Sequence, residues 1–299
     1  AYEVAETVEA EHAKFEVLDW GLLLGAAGIW GASFFFIDIG LEAFEPGLVT
    51  FFRITFGCII LWLIPTNSTP IAPADRKKIL LLGVTWIAFP LTMFPIAQQW
   101  INSSLTGMLN SAMPVFTVLI GLAIFKIPTA SIQFMGVITG LGGLILIGLP
   151  EVTTDGTNAL GVLLVILAVL SYAVAVHIAG PLQREYGAIP IVRSALLVAV
   201  VLSTPYGAVG ITGSGFAWGP MIACIALGAG GTGIAFALAA ELNGRVGAVR
   251  TSIVTYLIPI VAVFLGVVFR DDTITLWAVL GTIVVLLGAF LTTLTQNSS

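Results

Sequence analysis

Polar residues in this chain gather in short breaks between long apolar runs. The runs lie near 20–40, 47–65, 79–99, 104–125, 131–149, 160–180, 190–211, 219–240, 247–269 and 274–294. A helix of about 20 residues crosses about 30 Å of hydrocarbon, so the pattern predicts an all-α polytopic membrane protein with ten transmembrane helices. The breaks carry turn-forming residues, as in "NSTPIAPADRKK" after the second run and "PEVTTDGTN" after the fifth. None is long enough for a second domain. The expected layout is an acidic tail over 1–19, five spans over 20–149, a loop over 150–159, five spans over 160–294 and a tail over 295–299.

Composition agrees with the pattern. The chain is 58% hydrophobic and 9% charged, with a mean hydropathy of +1.08. A soluble fold with so few charges could not cover its surface, whereas lipid solvates an apolar exterior directly. The net charge of -5 reflects six acids within the first nineteen residues, Glu3, Glu6, Glu9, Glu11, Glu16 and Asp19. Nothing basic suggests nucleic acid. The expected partners are the lipid bilayer and a small-molecule substrate. On the side where the chain begins fall Lys14, Arg76, Lys77, Lys78, Lys126, Arg184, Arg193, Arg245 and Arg250, while only Arg53 and Arg270 fall near the other. By the positive-inside rule both termini are cytoplasmic. Cys58 and Cys224 lie in apolar runs and read as core residues, and no Cys/His/acid cluster calls for a metal or cofactor.

The second half of the chain echoes the first. At a shift of 140, Gly21, Gly47 and Arg53 fall on Gly161, Gly187 and Arg193; at 145, Gly83, Pro114, Gly121, Gly136 and Gly143 fall on Gly228, Pro259, Gly266, Gly281 and Gly288. Five spans per half force the halves into opposite orientations. Inverted repeats are the ground plan of secondary transporters, in which two halves exchange conformations about a site near the midplane.

Certain segments also resemble a known family. "WGASFFF" at 30–36, "EPGLVTFFR" at 45–53, "LNSAMPVFTVLIG" at 109–121 and "TYLIPIVAVFLG" at 255–266 are similar to the drug/metabolite transporter superfamily in its ten-helix EamA-type branch, and among those to the YddG-type aromatic amino-acid exporters. The resemblance implies export of amino acids and related metabolites across the inner (cytoplasmic) membrane of a bacterium. It differs from the family pattern at Lys126 and Ile127, where an acid is common, and at Ser171 and Tyr172, where the sixth helix lacks a Trp-Gly pair.

Candidate chemistry is sparse. "GAGGTG" at 228–233 fits a G-x-G-x-x-G string, but it sits within one apolar run and its first following acid, Glu241, comes too early to hold a ribose. Gly83, Gly228, Gly230 and Gly231 are instead expected as hinge or cavity glycines or as close-packing positions. Trp86 aligns with Gly231, so one repeat places an aromatic wall where the other leaves room. Pro114 and Pro259 are expected to kink matched helices and free the carbonyls of Asn110 and Thr255, beside Ser111 and Tyr256. With Trp30, Ser33 and Tyr172 these make the expected substrate pocket, the alternative being lipid-facing aromatics and simple bends. Gln98, Gln99 and His177 are candidate gate residues or bland helix ends. Arg53 and Arg193 are expected to snorkel to headgroups as tethers or to form a gate. With no deep lysine or arginine and no mid-span carboxylate in view, neutral or zwitterionic cargo is expected, and no catalytic constellation is present. "GVITG" at 136–140 could pair two copies or pack helices within one, leaving monomer or homodimer open.

Overall fold

The computed structural model describes residues 16–66, 70–154, 158–246, 251 and 253–294. Most of the acidic tail, the loop residues 155–157, Arg250 and the tail over 295–299 lie outside the described residues.

Among the described residues, nine helices are long and apolar enough to cross a membrane, and a bent pair makes a tenth. In chain order α1 is Val17–Leu41 and α2 is Pro46–Leu63. The third span, α3, joins Arg76–Leu82, a π-helical turn over Gly83–Ala88, and Phe89–Ala97. Ser103–Asn110 and Met113–Ala123 meet at 40° as α4. The next three are α5 (Ser131–Thr154), α6 (Asn158–Tyr186) and α7 (Ala188–Gly210). A second π-helical stretch, Ala226–Ile234, lies between Trp218–Ile225 and Ala235–Val246 in α8. Ile253–Arg270 is α9 and Leu276–Thr293 is α10. The face where α1 starts is called the near face and the opposite one the far face.

Several boundaries differ from the apolar pattern for local reasons. Helix α1 starts ahead of the apolar run because Asp19 accepts the Glu16 backbone N–H at 2.9 Å, a capping contact available only to the polar residues before the run. Helix α5 continues to Thr154, so much of the expected loop over 150–159 is helical.

The matched prolines do not act alike. Helix α4 breaks after Asn110, whereas α9 runs unbroken through Pro259. Ser111 and Tyr256 occupy the same repeat position. The short Ser111 hydroxyl turns back onto the Met108 carbonyl at 2.5 Å, a local bond that competes with the helical ladder. The Tyr256 hydroxyl reaches away to the Ala289 carbonyl of α10 at 3.1 Å and leaves its own backbone regular.

The halves are interlocked rather than side by side. Helix α1 packs on α8 and α9, α6 on α3 and α4, α2 on α7 and α8, and α5 on α10. The α5–α10 seam is built on glycine: a Cβ at Gly288 would fall 2.4 Å from the Gly140 nitrogen, and one at Gly143 would fall 2.7 Å from the Gly281 carbonyl. The G-x-x-x-G at Gly136 and Gly140 is therefore used inside one chain. Large apolar side chains such as Leu63, Val201 and Ile222 cover the outside, as a lipid-facing surface requires.

Candidate functional site

Helix α2 carries Arg53 seven residues beyond Pro46, roughly 10 Å along the axis, and its side chain turns inward. It is only 6% exposed. The guanidinium does not snorkel to a headgroup, so the chain holds a deep arginine after all. Its Nε donates to the Thr232 hydroxyl at 3.1 Å, and the Tyr172 hydroxyl lies within electrostatic range. Among the described residues, no carboxylate forms an ion pair with it. A buried charge costs several kcal/mol unless it is compensated, and a guanidinium presents a fork of donors suited to a carboxylate.

The glycine string determines the shape beside Arg53. Thr232 supplies the hydroxyl, while a Cβ at Gly231 would lie 2.5 Å from Ser33 Oγ and 3.9 Å from an Arg53 terminal nitrogen. The missing side chain is what lets the Ser33 hydroxyl come so close to the backbone beside Arg53. Gly228 faces the Arg53 carbonyl and Phe56, with a hypothetical Cβ 2.7 Å from each, and Gly83 is seated on Val198. Both are close-packing positions. Gly230 has only Ile29 near its place, at 3.4 Å, so it belongs to neither group.

Aromatic rings enclose the site. Phe236 meets Trp30 and Trp86 edge-on, each at 5.5 Å between centroids, and Trp86 is buried. Phe94 lies 6.0 Å from Tyr172 and 5.5 Å from Phe34. The structure thus brings Trp30, Ser33, Arg53, Trp86, Tyr172 and Gly231 into one neighbourhood. Sequence reasoning missed Thr232, Phe236, Phe94 and Phe34. Thr232 could have been found inside the glycine string; the phenylalanines stand among 18 in the chain and carried no signal.

Both π-helical turns are tied down by side chains. The Trp30 indole N–H donates to the Gly231 carbonyl at 2.9 Å, and the Ser171 hydroxyl donates to the Thr85 carbonyl at 2.7 Å. The wider π turn displaces carbonyls from the α ladder, and such turns often mark functional sites. In each case the first helix of one repeat holds the third helix of the other.

The remaining candidates engage other partners. Asn110 is half-buried at the α4 break, and Ser111 spends its hydroxyl on Met108. Tyr256 is bonded to α10, on the same helix as Thr255 and Pro259. His177 meets the Thr117 carbonyl at 2.9 Å and stacks on Phe125 at 4.7 Å, joining α6 to α4. Arg193 donates to the Leu61 carbonyl at 2.8 Å and to that of Ile64, and lies 5.5 Å from the Trp62 ring. It ties α7 to the end of α2.

Further pins hold the two faces. On the near face Arg245 joins Asp19 at 2.5 Å and Glu16 at 2.9 Å, and hydrogen bonding to Asp19 holds its guanidinium above the usual range. The Tyr186 hydroxyl donates to Asp75 at 2.9 Å. On the far face Arg270 pairs with Asp38 and Glu42, and Asp272 accepts from the Ser103 and Ser104 hydroxyls at 3.0 and 2.6 Å. Gln98 and Gln99 lie at that face and line a cavity of about 300 Å³.

Comparison with known proteins places these features in context. The model of the EamA-like transporter family matches residues 20–149 and again 159–294. The "Uncharacterized transporter YdfC" of Bacillus subtilis is 24% identical over 276 residues, covering 90% of this chain and 89% of its own. A second from the same organism, "Uncharacterized transporter YoaV", is 22% identical, covering 89% and 94%. "Uncharacterized inner membrane transporter YedA" of Escherichia coli is 25% identical over 157 residues, 52% of this chain and 50% of its own. A solved crystal structure shares the fold with a TM-score of 0.59 at 17% identity, covering 90% of this chain and 94% of that one. A paired family match, ten apolar spans and two interlocked halves agree: this chain belongs to the EamA-like transporter family.

Proposed function

We propose that this transporter exports amino acids, aromatic and other neutral ones, together with related carboxylate-bearing metabolites, across the cytoplasmic membrane by alternating access. The observation that carries the reading is Arg53, a buried cation with no acidic partner among the described residues, set beside Gly231 and ringed by Trp30, Trp86 and Tyr172. The guanidinium receives the substrate carboxylate, the aromatic walls receive an apolar side chain, and the pins at the two faces open in turn. The excess of Lys and Arg on the near face supports a cytoplasmic assignment for it, and the name of the Escherichia coli relative supports an inner membrane. No catalytic residue or cofactor enters this scheme, and a single chain supplies the whole pocket.

Counterflow in proteoliposomes tests it. Vesicles loaded with unlabelled amino acid and given labelled tracer outside, without a pH gradient, should accumulate label transiently, with aromatic substrates among those moved. No counterflow for any amino acid would defeat the amino-acid reading. Arg53 itself favours a second one, since a deep cation also suits other organic anions; the same assay with a panel of carboxylates separates the two.

A further inference from the structure

Phe236 stands four residues beyond Thr232 on α8, roughly 6 Å along the axis and about one turn on. Positions so spaced share a face of a helix, and this is the face whose Thr232 hydroxyl bonds Arg53. The Phe236 ring is half-buried. It meets Trp30 and Trp86 edge-on, at 79° and 81° between planes and 5.5 Å between centroids in each case. Rings attract one another in this arrangement at about 4.5–7 Å.

The three rings are not held alike. The Trp30 indole N–H is fixed on the Gly231 carbonyl, and buried Trp86 belongs to the π-helical turn whose Thr85 carbonyl takes the Ser171 hydroxyl. Phe236 has no polar atom and is held by apolar contact alone. The repeat adds a second observation. At a shift of 145, Thr232 and Phe236 fall on Ile87 and Leu91, both buried in the core. The first repeat uses these positions for aliphatic packing, whereas the second sets a hydroxyl on the guanidinium and a half-buried ring one turn away.

We infer that Phe236 determines which side chains the pocket accepts: with the substrate carboxylate on Arg53, the side chain extends along α8, and the Phe236 ring sets the room left for it between the two tryptophans. The assignment rests on the reading of Arg53 as the carboxylate site and names the residue that selects among its substrates. Its action is steric and apolar. A short side chain fits against the ring, whereas a bicyclic one needs the space the ring fills. Phe236 acts on the choice of substrate and leaves the hold on the carboxylate to Arg53.

Counterflow of the full chain in proteoliposomes tests this, with alanine, leucine, phenylalanine and tryptophan at equal trace concentration and the ratios of initial rates taken within one preparation. Such ratios do not depend on how much of the protein is folded. One methylene in an apolar pocket changes discrimination about 10–200-fold, so Phe236→Ala, which removes a whole ring, should raise the tryptophan-to-alanine ratio by about tenfold or more. Phe236→Leu should fall between, and it carries the test if Phe236→Ala does not fold. Phe236→Tyr keeps the ring and should keep the parent's order. Rates that change by one factor for every substrate would show a merely structural ring and overturn the assignment, as would a ratio that falls. Parent vesicles that exchange no amino acid but do exchange other carboxylates would defeat the amino-acid reading alone, and the ratio of indolelactate to lactate then decides on Phe236 in the same way. Failure of both panels in the parent would remove the Arg53 reading and this assignment together.

Discussion

A guanidinium buried in the helix bundle, bonded to a threonine hydroxyl and, among the described residues, paired with no carboxylate, is chemically incomplete. Truncating one partner of a buried charge pair typically costs about 2–5 kcal/mol, so Arg53→Gln should reduce counterflow of an amino acid roughly 30-fold or more. Movement of an amine analogue without the carboxylate should change little, a contrast that a merely structural arginine would not produce. Gly231→Ala places a methyl 2.5 Å from Ser33 Oγ and should impair transport, and adding Ser33→Ala should restore much of it, because the next Ser33 atom is 3.7 Å away. Gly230→Ala should be nearly silent. Unequal losses in the reverse order would remove Gly231 from the pocket. Trp30, Trp86 and Tyr172 were singled out by residue type, and Trp86 also by its repeat register with Gly231, whereas Thr232 and Phe236 were not. The depth of Arg53 was not legible: an arginine near the start of an apolar run reads as one that snorkels, and only the crossing of α2 with α8 aims it inward.

At the scale of elements, the two π-helical turns were invisible to hydropathy, since an extra residue in a turn leaves the apolar pattern unbroken. Their cause shows in side chains from elsewhere, Ser171 and Trp30, which take carbonyls the wider turn releases. Ser171→Ala leaves the Thr85 carbonyl without that donor and should lower stability by about 1–3 kcal/mol, read as a lower melting temperature in detergent with the helical signal intact. An unchanged melt would mean that another group already satisfies the carbonyl. Gly288→Ala should be worse, since its methyl would meet α5 backbone rather than a movable side chain. Ten spans and their order were readable because lipid imposes a length on each; the α4 break was foreshadowed by Pro114, but its absence at Pro259 depends on what Ser111 and Tyr256 can reach.

For the whole molecule, the proposed alternating access asks the pins of one face to release while those of the other hold. Arg270→Gln removes the charge that links α9 to α1 at Asp38 and Glu42. In a Gln98→Cys background this should raise labelling by a membrane-impermeant maleimide several-fold, and equal labelling with and without Arg270 would show that these pairs do not govern access. The inverted arrangement was legible from the odd number of spans in each half, whereas the way the halves thread through each other was not, because matching positions reveal equivalence and not contact. The exchanged bonds at Gly231 and Thr85 have a consequence for the halves as separate polypeptides. Each half gives a donor to the other and takes one back for a carbonyl of its own, so the complement of each is the half of opposite orientation. Expressed as two genes, 1–154 and 158–299 should reach the membrane as mutual clients, each degraded when alone and rescued by the other.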